Sequence, residues 1–337
     1  MTGATETNIT DKLTRYDRRA VRAGVFVLIA AVLGLGLVGC AQTVDEPEPT
    51  TSSAYTFTDD LGNTVTVDNP QRVVALMGSF ANAWELAGGT LVGATSDAFE
   101  FGGYELTSPD IVQVGDFSSP NIEEIIALEP DFVILTSAAT GRDGAAAQVD
   151  LKDTLESSGI TVAYFEVVDF EDYLRQLRIF TDITGRDDLY KVNGQDVADE
   201  IESIKAEVPA DAEPSVLLMT TFSGGTRVQN SETQTGIMLE ELGANNLAEE
   251  HPSVLRDFSL EAVIEMNPDF IFVIPMGNDD EAAMKNLTEE TEANPAWATL
   301  DAVQDGNFIT LAKELFRFKP NNNWAEAYRT LFNYLYQ

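Results

Sequence analysis

Two glutamates at matching positions of a repeated pattern, Glu123 and Glu261, are the residues of this chain whose spacing most directly suggests binding chemistry. Each is the third residue of a fifteen-residue stretch that occurs twice, at 121–135 and at 259–273. Each stretch is typical of a capped helix, a Pro-Asp break and a buried strand. Repetition of the whole unit predicts two similar lobes, and two lobes enclose a cleft, which favours ligand capture over a single compact catalytic domain.

Two positions before each glutamate stands a natural N-cap, Asn121 in the first copy and Ser259 in the second. They place each glutamate in the first turn of its helix, where an acid also stabilises the helix by a few tenths of a kcal/mol. Helix stability would explain either glutamate alone. Their equivalent placement in both copies predicts two exposed carboxylates, one per lobe, on matching surfaces.

The elements that must position these residues alternate along the chain. An apolar strand opens each half, Arg72–Met77 in the first and Ser215–Met219 in the second, and a helix and the repeated unit follow. Continuous apolar strands that alternate with helices predict an α/β fold with mainly parallel sheets covered on both faces. Residues 169–208 show apolar residues at helical spacing and no strand pattern. Their second half, from Asp187, predicts one amphipathic helix that joins the lobes and limits their closure.

The predicted organisation has five parts. They are a signal segment (1–40), a solvated tether (41–54), an N-terminal lobe (55–168), a helical linker (169–208) and a C-terminal lobe (209–337).

The amino terminus predicts export. Basic residues precede an apolar run, Val25–Val38, which is short for a spanning helix because that needs about 20 apolar residues. Cys40, the only cysteine, follows Leu37-Val38-Gly39, so a disulfide within the chain is excluded. This ending resembles a bacterial lipobox, which implies cleavage before Cys40 and lipid attachment to it. A plain signal peptide with an incidental cysteine and an uncleaved anchor are the alternatives.

The charge of the chain excludes one class of partner. The whole sequence carries a net charge of −36, and residues 41–337 hold 53 acidic and 15 basic residues. The strongly negative electrostatic field of such a chain argues against binding of nucleic acid and against peripheral binding to anionic lipid. An acidic or saline habitat would also explain it.

No catalytic or cofactor motif is present in the sequence, so we expect a protein that is not an enzyme and holds no cofactor. His251 is the only histidine, which leaves no multi-histidine metal site. There is no Gly-x-Ser-x-Gly elbow, no Walker A loop and no Gly-x-Gly-x-x-Gly after a strand.

The lipobox, the Asp59–Asn63 opening, the strand at Arg72 and the two glutamate helices with their Pro-Asp breaks resemble ABC-transporter substrate-binding proteins of the ferric-siderophore, cobalamin and haem class. The resemblance covers the chain from Tyr55 to its end. It implies two Rossmann-like lobes joined by a long α-helix, with the ligand in a shallow cleft between them. It also implies a lipid-anchored, extracytoplasmic monomer whose Glu123 and Glu261 dock onto arginines of the membrane permease, which works with its own ATPase subunits.

Ligand residues are predicted from the strand ends, where open α/β lobes bind their ligands. The selected loops are Met77–Phe80, Thr136–Arg142, Thr220–Arg227, Pro275–Gly277 and Lys313–Lys319. The resemblance adds the segments before the glutamate helices, with Phe117 and Arg256. Cations able to grip an anionic Fe(III) chelate and aromatic rings able to stack on it give the candidates Phe80, Phe117, Arg142, Phe222, Arg227, Arg256, Phe316, Arg317 and Lys319. Met77 is added because its thioether is a type of axial ligand for haem.

Several alternatives stay open at this point. The cations could simply pair with the abundant surface acids, and the phenylalanines could be core residues. Met77 and His251 could be axial ligands of haem, and cobalamin is a further candidate of the same class. A surface adhesin or sensor, or an enzyme scaffold with a metal cluster, are alternatives from other classes, although such clusters use several cysteines.

Overall fold

The computed structural model describes residues 54–100, 104–137, 148–277 and 279–337. The predictions for Cys40 and Arg142 lie outside these ranges. Among the helices of the described ranges, none is long and apolar enough to cross a membrane.

The strands, in chain order, are β1 (Tyr55–Thr58), β2 (Thr64–Val67), β3 (Val73–Ala75), β4 (Leu91–Ala94), β5 (Val112–Gln113), β6 (Gly115–Asp116), β7 (Ser119–Pro120), β8 (Phe132–Thr136), β9 (Thr161–Phe165), β10 (Ser215–Phe222), β11 (Gly225–Val228), β12 (Asn245–Asn246), β13 (Phe270–Pro275) and β14 (Phe308–Thr310).

The α-helices are α1 (Gly78–Leu86), α2 (Asp97–Glu100), α3 (Ile122–Ala127), α4 (Lys152–Ser157), α5 (Phe170–Thr184), α6 (Asp187–Tyr190), α7 (Asp196–Ala206), α8 (Gln234–Glu241), α9 (Leu260–Met266), α10 (Asp280–Ala293), α11 (Asp301–Gln304), α12 (Lys313–Phe316) and α13 (Trp324–Tyr336). A π-helical turn covers Lys191–Gln195, and 3₁₀ turns cover Leu247–Glu249, Trp297–Thr299 and Asn321–Asn323.

Two separate sheets carry the two halves of the chain. The first has the strand order β5-β4-β3-β8-β9, and all of its pairs are parallel. The second has the order β11-β10-β13-β14, with β12 also paired to β10, and only β11 runs antiparallel. The α/β prediction with mainly parallel sheets is therefore confirmed. The proposed boundaries at 168/169 and 208/209 stay predictions.

The Pro-Asp breaks have the same structural role in both halves. The Asp131 carboxylate accepts hydrogen bonds from the backbone N–H groups of Gln71 and Arg72 at 2.8 and 3.0 Å. The Asp269 carboxylate accepts from the Ser215 backbone N–H at 2.8 Å and from its hydroxyl at 2.7 Å. Each aspartate thus joins the start of its own strand to the start of the neighbouring parallel strand, where backbone donors would otherwise lack partners.

The residues before the two Pro-Asp pairs also match in backbone conformation. Glu129 and Asn267 have φ angles of 46° and 44°, in the left-handed region that non-glycine residues rarely adopt. The repeated stretch is therefore one structural unit built twice, down to the turn that ends its helix.

The predicted linker helix from Asp187 is helical to Ala206, but its middle turn, Lys191–Gln195, is a π-helix that the apolar spacing does not reveal. In this turn the Asn193 side-chain amide donates to the Leu86 carbonyl at the end of α1, at 2.9 Å. The Tyr173 hydroxyl of α5 donates to the Asn193 carbonyl, also at 2.9 Å. Tertiary contacts therefore hold the wider turn, because the same residue is bonded to two other helices.

Candidate functional site

A pocket of about 330 Å³ opens at the carboxyl edge of the second sheet. The ends of β10 and β13, the β10–β11 turn, β11 and the segment after α12 form its walls. Its lining residues are Thr220, Phe222, Ser223, Arg227, Gln229, Met276, Gly277 and Arg317. Its position agrees with the general rule that open α/β sheets bind ligands at the carboxyl ends of their strands.

The Thr220–Arg227 segment, predicted as a loop, is a hairpin. β10 continues to Phe222, and two residues turn the chain into β11, with Phe222 opposite Gly225. Gly225 has a φ of 137°, which glycine adopts without the steric cost that a side chain would bring. Because the hairpin is paired, it holds Arg227 rigidly beside the pocket rather than on a flexible loop.

Arg227 and Phe222 form one recognition unit. The guanidinium carbon of Arg227 lies 5.1 Å from the centroid of the Phe222 ring, in cation–π geometry. The Gln229 amide donates to the Thr220 hydroxyl at 3.0 Å, so the polar groups on the same wall are ordered as well. This wall presents one cation, one aromatic ring and two polar side chains to a ligand.

Arg317 provides the second cation of the pocket. Its side chain reaches solvent, yet protein surrounds it on enough sides for burial to lower its pKa below the ordinary value. An arginine keeps its charge at neutral pH in any case. A charged group in such partial enclosure interacts more strongly with an anion than a fully hydrated one does.

Lys319 lies two residues further on and is half-buried. Burial first, and then the like charge of Arg317, lower its pKa to about 8, although Glu166 and Asp172 act in the opposite direction. The two basic residues of this segment are therefore close enough to repel each other. A bound anion would relieve that repulsion.

Most basic residues of the described ranges are paired with acids. Nine of the fourteen form ion pairs with carboxylates, and Arg72 donates to the backbone carbonyls of Leu128 and Glu129. Apart from Arg72, the basic residues with no ion pair to a described carboxylate are Arg227, Arg256, Arg317 and Lys319. All four belong to the cations that the sequence suggested as ligand-binding residues, and acids are abundant throughout this chain.

Lys313 is a supporting residue that the sequence reasoning missed. It begins α12 with only 9% of its surface exposed, and its ammonium donates to the Gly277 carbonyl at 2.8 Å and to Asp280 at 2.6 Å. Gly277 lines the pocket, so Lys313 fixes the end of β13 beside the segment that carries Arg317. A lysine that follows a strand-like stretch gives no sequence signal for this role.

Replacing Lys313 by methionine is expected to lower the free energy of unfolding by about 1–3 kcal/mol, because the Gly277 carbonyl and Asp280 lose their shared donor. Urea denaturation measures the loss. The matched control is Lys285→Met, since the Lys285 ammonium is 3.8 Å from Glu289 on an exposed helix face. Such pairs contribute little. Equal stability of the two variants would contradict the supporting role.

The structure corrects the prediction for two of the phenylalanines. Phe80 and Phe316 are 1% and 2% exposed and belong to the main core. The Phe80 ring packs edge-on against Phe165, with 6.3 Å between the centroids. Neither ring has a free face for a ligand, because each faces inward from a helix that covers its sheet.

Met77 and Phe117 are half-buried at the carboxyl edge of the first sheet. The Gln148 amide ties this edge together, since it donates to the carbonyls of Leu76 at 2.8 Å and Phe117 at 2.7 Å. Gln148 is fully buried and was not singled out by its sequence context. Met77 and Phe117 do not line the pocket of the second sheet.

Arg256 and His251 are both exposed and lie outside that pocket. They occupy the segment between the 3₁₀ turn at Leu247–Glu249 and α9. In the described part of the chain, no cluster of three or more His, Cys, Asp or Glu side chains is arranged to hold a metal ion.

Glu123 and Glu261 are exposed in the first turns of α3 and α9, as predicted. The Asn121 side chain accepts from the backbone N–H groups of Glu123 and Glu124, and the Ser259 hydroxyl accepts from that of Ala262. The predicted N-caps are therefore present in both copies. Neither glutamate forms an ion pair with a described base, although the Glu261 carboxylate accepts a hydrogen bond from the Ser259 hydroxyl at 3.2 Å.

Comparison with known proteins identifies relatives of this chain. The family model described as periplasmic binding protein matches residues 84–315. The Fe(3+)-citrate-binding protein YfmC of Bacillus subtilis is 25% identical over 294 residues, which cover 86% of this chain and 89% of that protein.

Two solved structures of Staphylococcus aureus proteins have the same fold. SirA, complexed with staphyloferrin B, has a TM-score of 0.64 at 19% identity, with 84% of this chain and 97% of that chain covered. IsdE, complexed with heme, has a TM-score of 0.63 at 17% identity, with 79% and 99% covered. The predicted two-lobed architecture is the one that these structures share.

Proposed function

Because this chain belongs to the periplasmic binding protein family, whose model matches residues 84–315, we propose that it is an extracytoplasmic receptor that captures an anionic Fe(III) chelate and delivers it to an ABC importer. It performs no reaction itself, and ATP hydrolysis belongs to the subunits of the importer. The iron reaches the protein as part of its cargo rather than as a resident cofactor.

The unpaired cations carry this proposal. Arg227 and Arg317 line one pocket without a described carboxylate partner, in a chain where acids far outnumber bases. An anionic ligand in this pocket would give both cations the partner that neither has among the described carboxylates. A carboxylate or catecholate chelate of Fe(III) offers such anionic oxygens, and the planar guanidinium can bind them in pairs.

The relatives agree with this class of cargo. YfmC is named for Fe(3+)-citrate, and SirA was solved with staphyloferrin B. We also propose that the receptor carries lipid at Cys40, is monomeric and docks onto the permease through Glu123 and Glu261.

Haem is the second candidate. Staphylococcus aureus IsdE, named for high-affinity heme uptake, is 22% identical over 233 residues. Met77 lies half-buried at the end of β3, where a thioether could reach an iron between the lobes. A Soret band that disappears in a Met77→Ala variant would favour haem over an anionic chelate.

The testing experiment is a titration of the purified protein with Fe(III)–citrate, a ferric catecholate, a ferric hydroxamate, haem and cobalamin, followed by tryptophan fluorescence and calorimetry. Calorimetry is included because Trp84, Trp297 and Trp324 are all buried, so a bound ligand does not have to change their fluorescence. Saturable binding of an anionic ferric chelate supports the proposal. Binding of haem or cobalamin alone keeps the receptor role and changes the cargo, and binding of none overturns the proposal.

The low pKa of Lys319, about 8, makes affinity depend on pH. Below this pKa the ammonium is charged and attracts an anionic chelate, and above it the amine is neutral. Affinity is therefore expected to fall as the pH rises from about 7 to about 9, by less than the roughly tenfold that loss of a direct hydrogen bond to a charged group would cause, because Lys319 does not line the pocket. Calorimetric titrations across this range measure the slope. Lys319→Gln is the control, because it keeps any pH dependence of the chelate itself and loses only that of the lysine.

A further inference from the structure

The short segment Arg317–Asn323, which we name the strap, belongs to the second half of the chain but is bonded to the first. The Tyr104 hydroxyl donates to the Lys319 carbonyl at 2.9 Å. The Asn321 side-chain amide donates to the Ser79 carbonyl at 2.8 Å and to the Asn82 side chain at 2.7 Å. These bonds join residues 215 to 242 positions apart in the sequence.

The strap contains a buried residue in the left-handed backbone region. Asn321 has a φ of 52°, in the left-handed region, and only 1% of its surface is exposed. A left-handed non-glycine residue persists where its surroundings over-determine it, and such residues cluster at functional sites. Here the surroundings are the start of α1, since both acceptors of Asn321, Ser79 and Asn82, belong to that helix.

The strap also carries charge to the pocket. Its first residue, Arg317, lines the same pocket as the β10–β11 hairpin. Its third residue, Lys319, is the one whose carbonyl Tyr104 holds. The two cations therefore extend from the same backbone that α1 and Tyr104 restrain.

From these contacts we propose that Tyr104, Asn82 and Asn321 are positioning residues for ligand binding, because they fix the strap to the first lobe and so hold Arg317 in its binding position. This inference rests on the proposed function, since it assigns a role to residues that do not line the pocket. It also means that opening of the lobes must break these bonds or carry the strap away from the hairpin. Ligand affinity and lobe separation are then linked through one segment.

The test uses variants that leave the sequence of the strap unchanged. Tyr104→Phe removes one bond, and Asn82→Ala removes another while placing a good helix former in α1. We expect each to weaken binding of Fe(III)–citrate by about fivefold, the loss typical of one hydrogen bond. In a background that carries both Arg317→Gln and Lys319→Gln neither should cause further loss, because the strap then has no cation to position.

The matched control is Tyr173→Phe. It removes the same type of bond, a tyrosine hydroxyl to a backbone carbonyl at 2.9 Å, within the linker helices. It should lower thermal stability and leave affinity unchanged. A purely structural role for Tyr104 would make both variants behave alike.

Hydrogen–deuterium exchange of the full chain in detergent gives a readout that needs no ligand. Peptides that cover 316–324 should exchange faster in Tyr104→Phe and Asn82→Ala, and not in Tyr173→Phe. Unchanged exchange would show that these bonds do not hold the strap, and faster exchange with unchanged affinity would show that the strap positions nothing. Either result overturns the proposal. If the wild-type protein binds no ferric chelate, the proposed function fails, and exchange alone then decides whether the strap is held.

Discussion

Replacing Arg227 and Arg317 together by glutamine is expected to weaken binding of an anionic ferric chelate by at least about 100-fold. Hydrogen bonds to charged groups contribute about 1.5–3 kcal/mol each, so two lost guanidinium contacts cost about 3–6 kcal/mol. The loss is large because the two residues line one pocket, and no described carboxylate competes for either. Calorimetric titration with Fe(III)–citrate, or with whichever chelate the wild type binds most tightly, measures the change.

A variant with the same change in net charge separates local contacts from the overall field. Arg186→Gln with Arg329→Gln also removes two positive charges, but these arginines are paired with Asp188 and Glu207 away from the pocket. The control should retain affinity close to that of the wild type. Equal loss in both double variants would mean that the total charge of the protein, and not the pocket, attracts the ligand.

Replacing both Glu123 and Glu261 by glutamine is expected to abolish uptake of iron by cells while leaving ligand affinity unchanged. Truncating one partner of a buried, hydrogen-bonded charge pair at an interface costs about 2–5 kcal/mol, so two such losses separate receptor and permease. Each glutamate lies in the first turn of its helix, so we also expect a small loss of stability, about 0.3–1 kcal/mol per site. Cellular uptake of radioactive iron and calorimetry on the purified variant measure the two effects separately.

The chain offers a matched control on the same two helices. Glu124 and Glu265 are also exposed glutamates of α3 and α9 but do not occupy the repeated position. Their replacement by glutamine should leave both uptake and affinity unchanged. Loss of uptake in this control, or normal uptake in the first variant, would contradict docking through the repeated pair.

The local features of this protein could be predicted because they depend on neighbours in sequence. The N-caps Asn121 and Ser259, the glutamates after them and the Pro-Asp breaks all lie within one fifteen-residue unit. Periodicity and capping act over a few residues, so they are visible in the sequence and reappear in the structure. Three of the five segments predicted from strand ends, Thr220–Arg227, Pro275–Gly277 and Lys313–Lys319, contribute residues to the pocket, although β10 runs three residues further than predicted.

What depended on distant residues could not be predicted. Whether a phenylalanine lies in the core or lines a pocket is decided by what packs against it. Phe80 and Phe222 both lie near strand ends, but Phe80 is buried in the core and Phe222 lines the pocket. Lys313 and Gln148 gained their roles from carbonyls that other strands bring beside them.

The sequence by itself determined the repeated units, the parallel α/β pattern, the matched glutamates and the set of candidate cations. Only the tertiary structure decided which of those cations stay unpaired, which of them share a pocket, and that the strap of one lobe is bonded to the other through Tyr104 and Asn321. The physical reason is the range of the forces involved. Helix and strand preferences are set within a few residues, whereas burial, ion pairing and the hydrogen bonds of a strap are set by groups that only folding brings together.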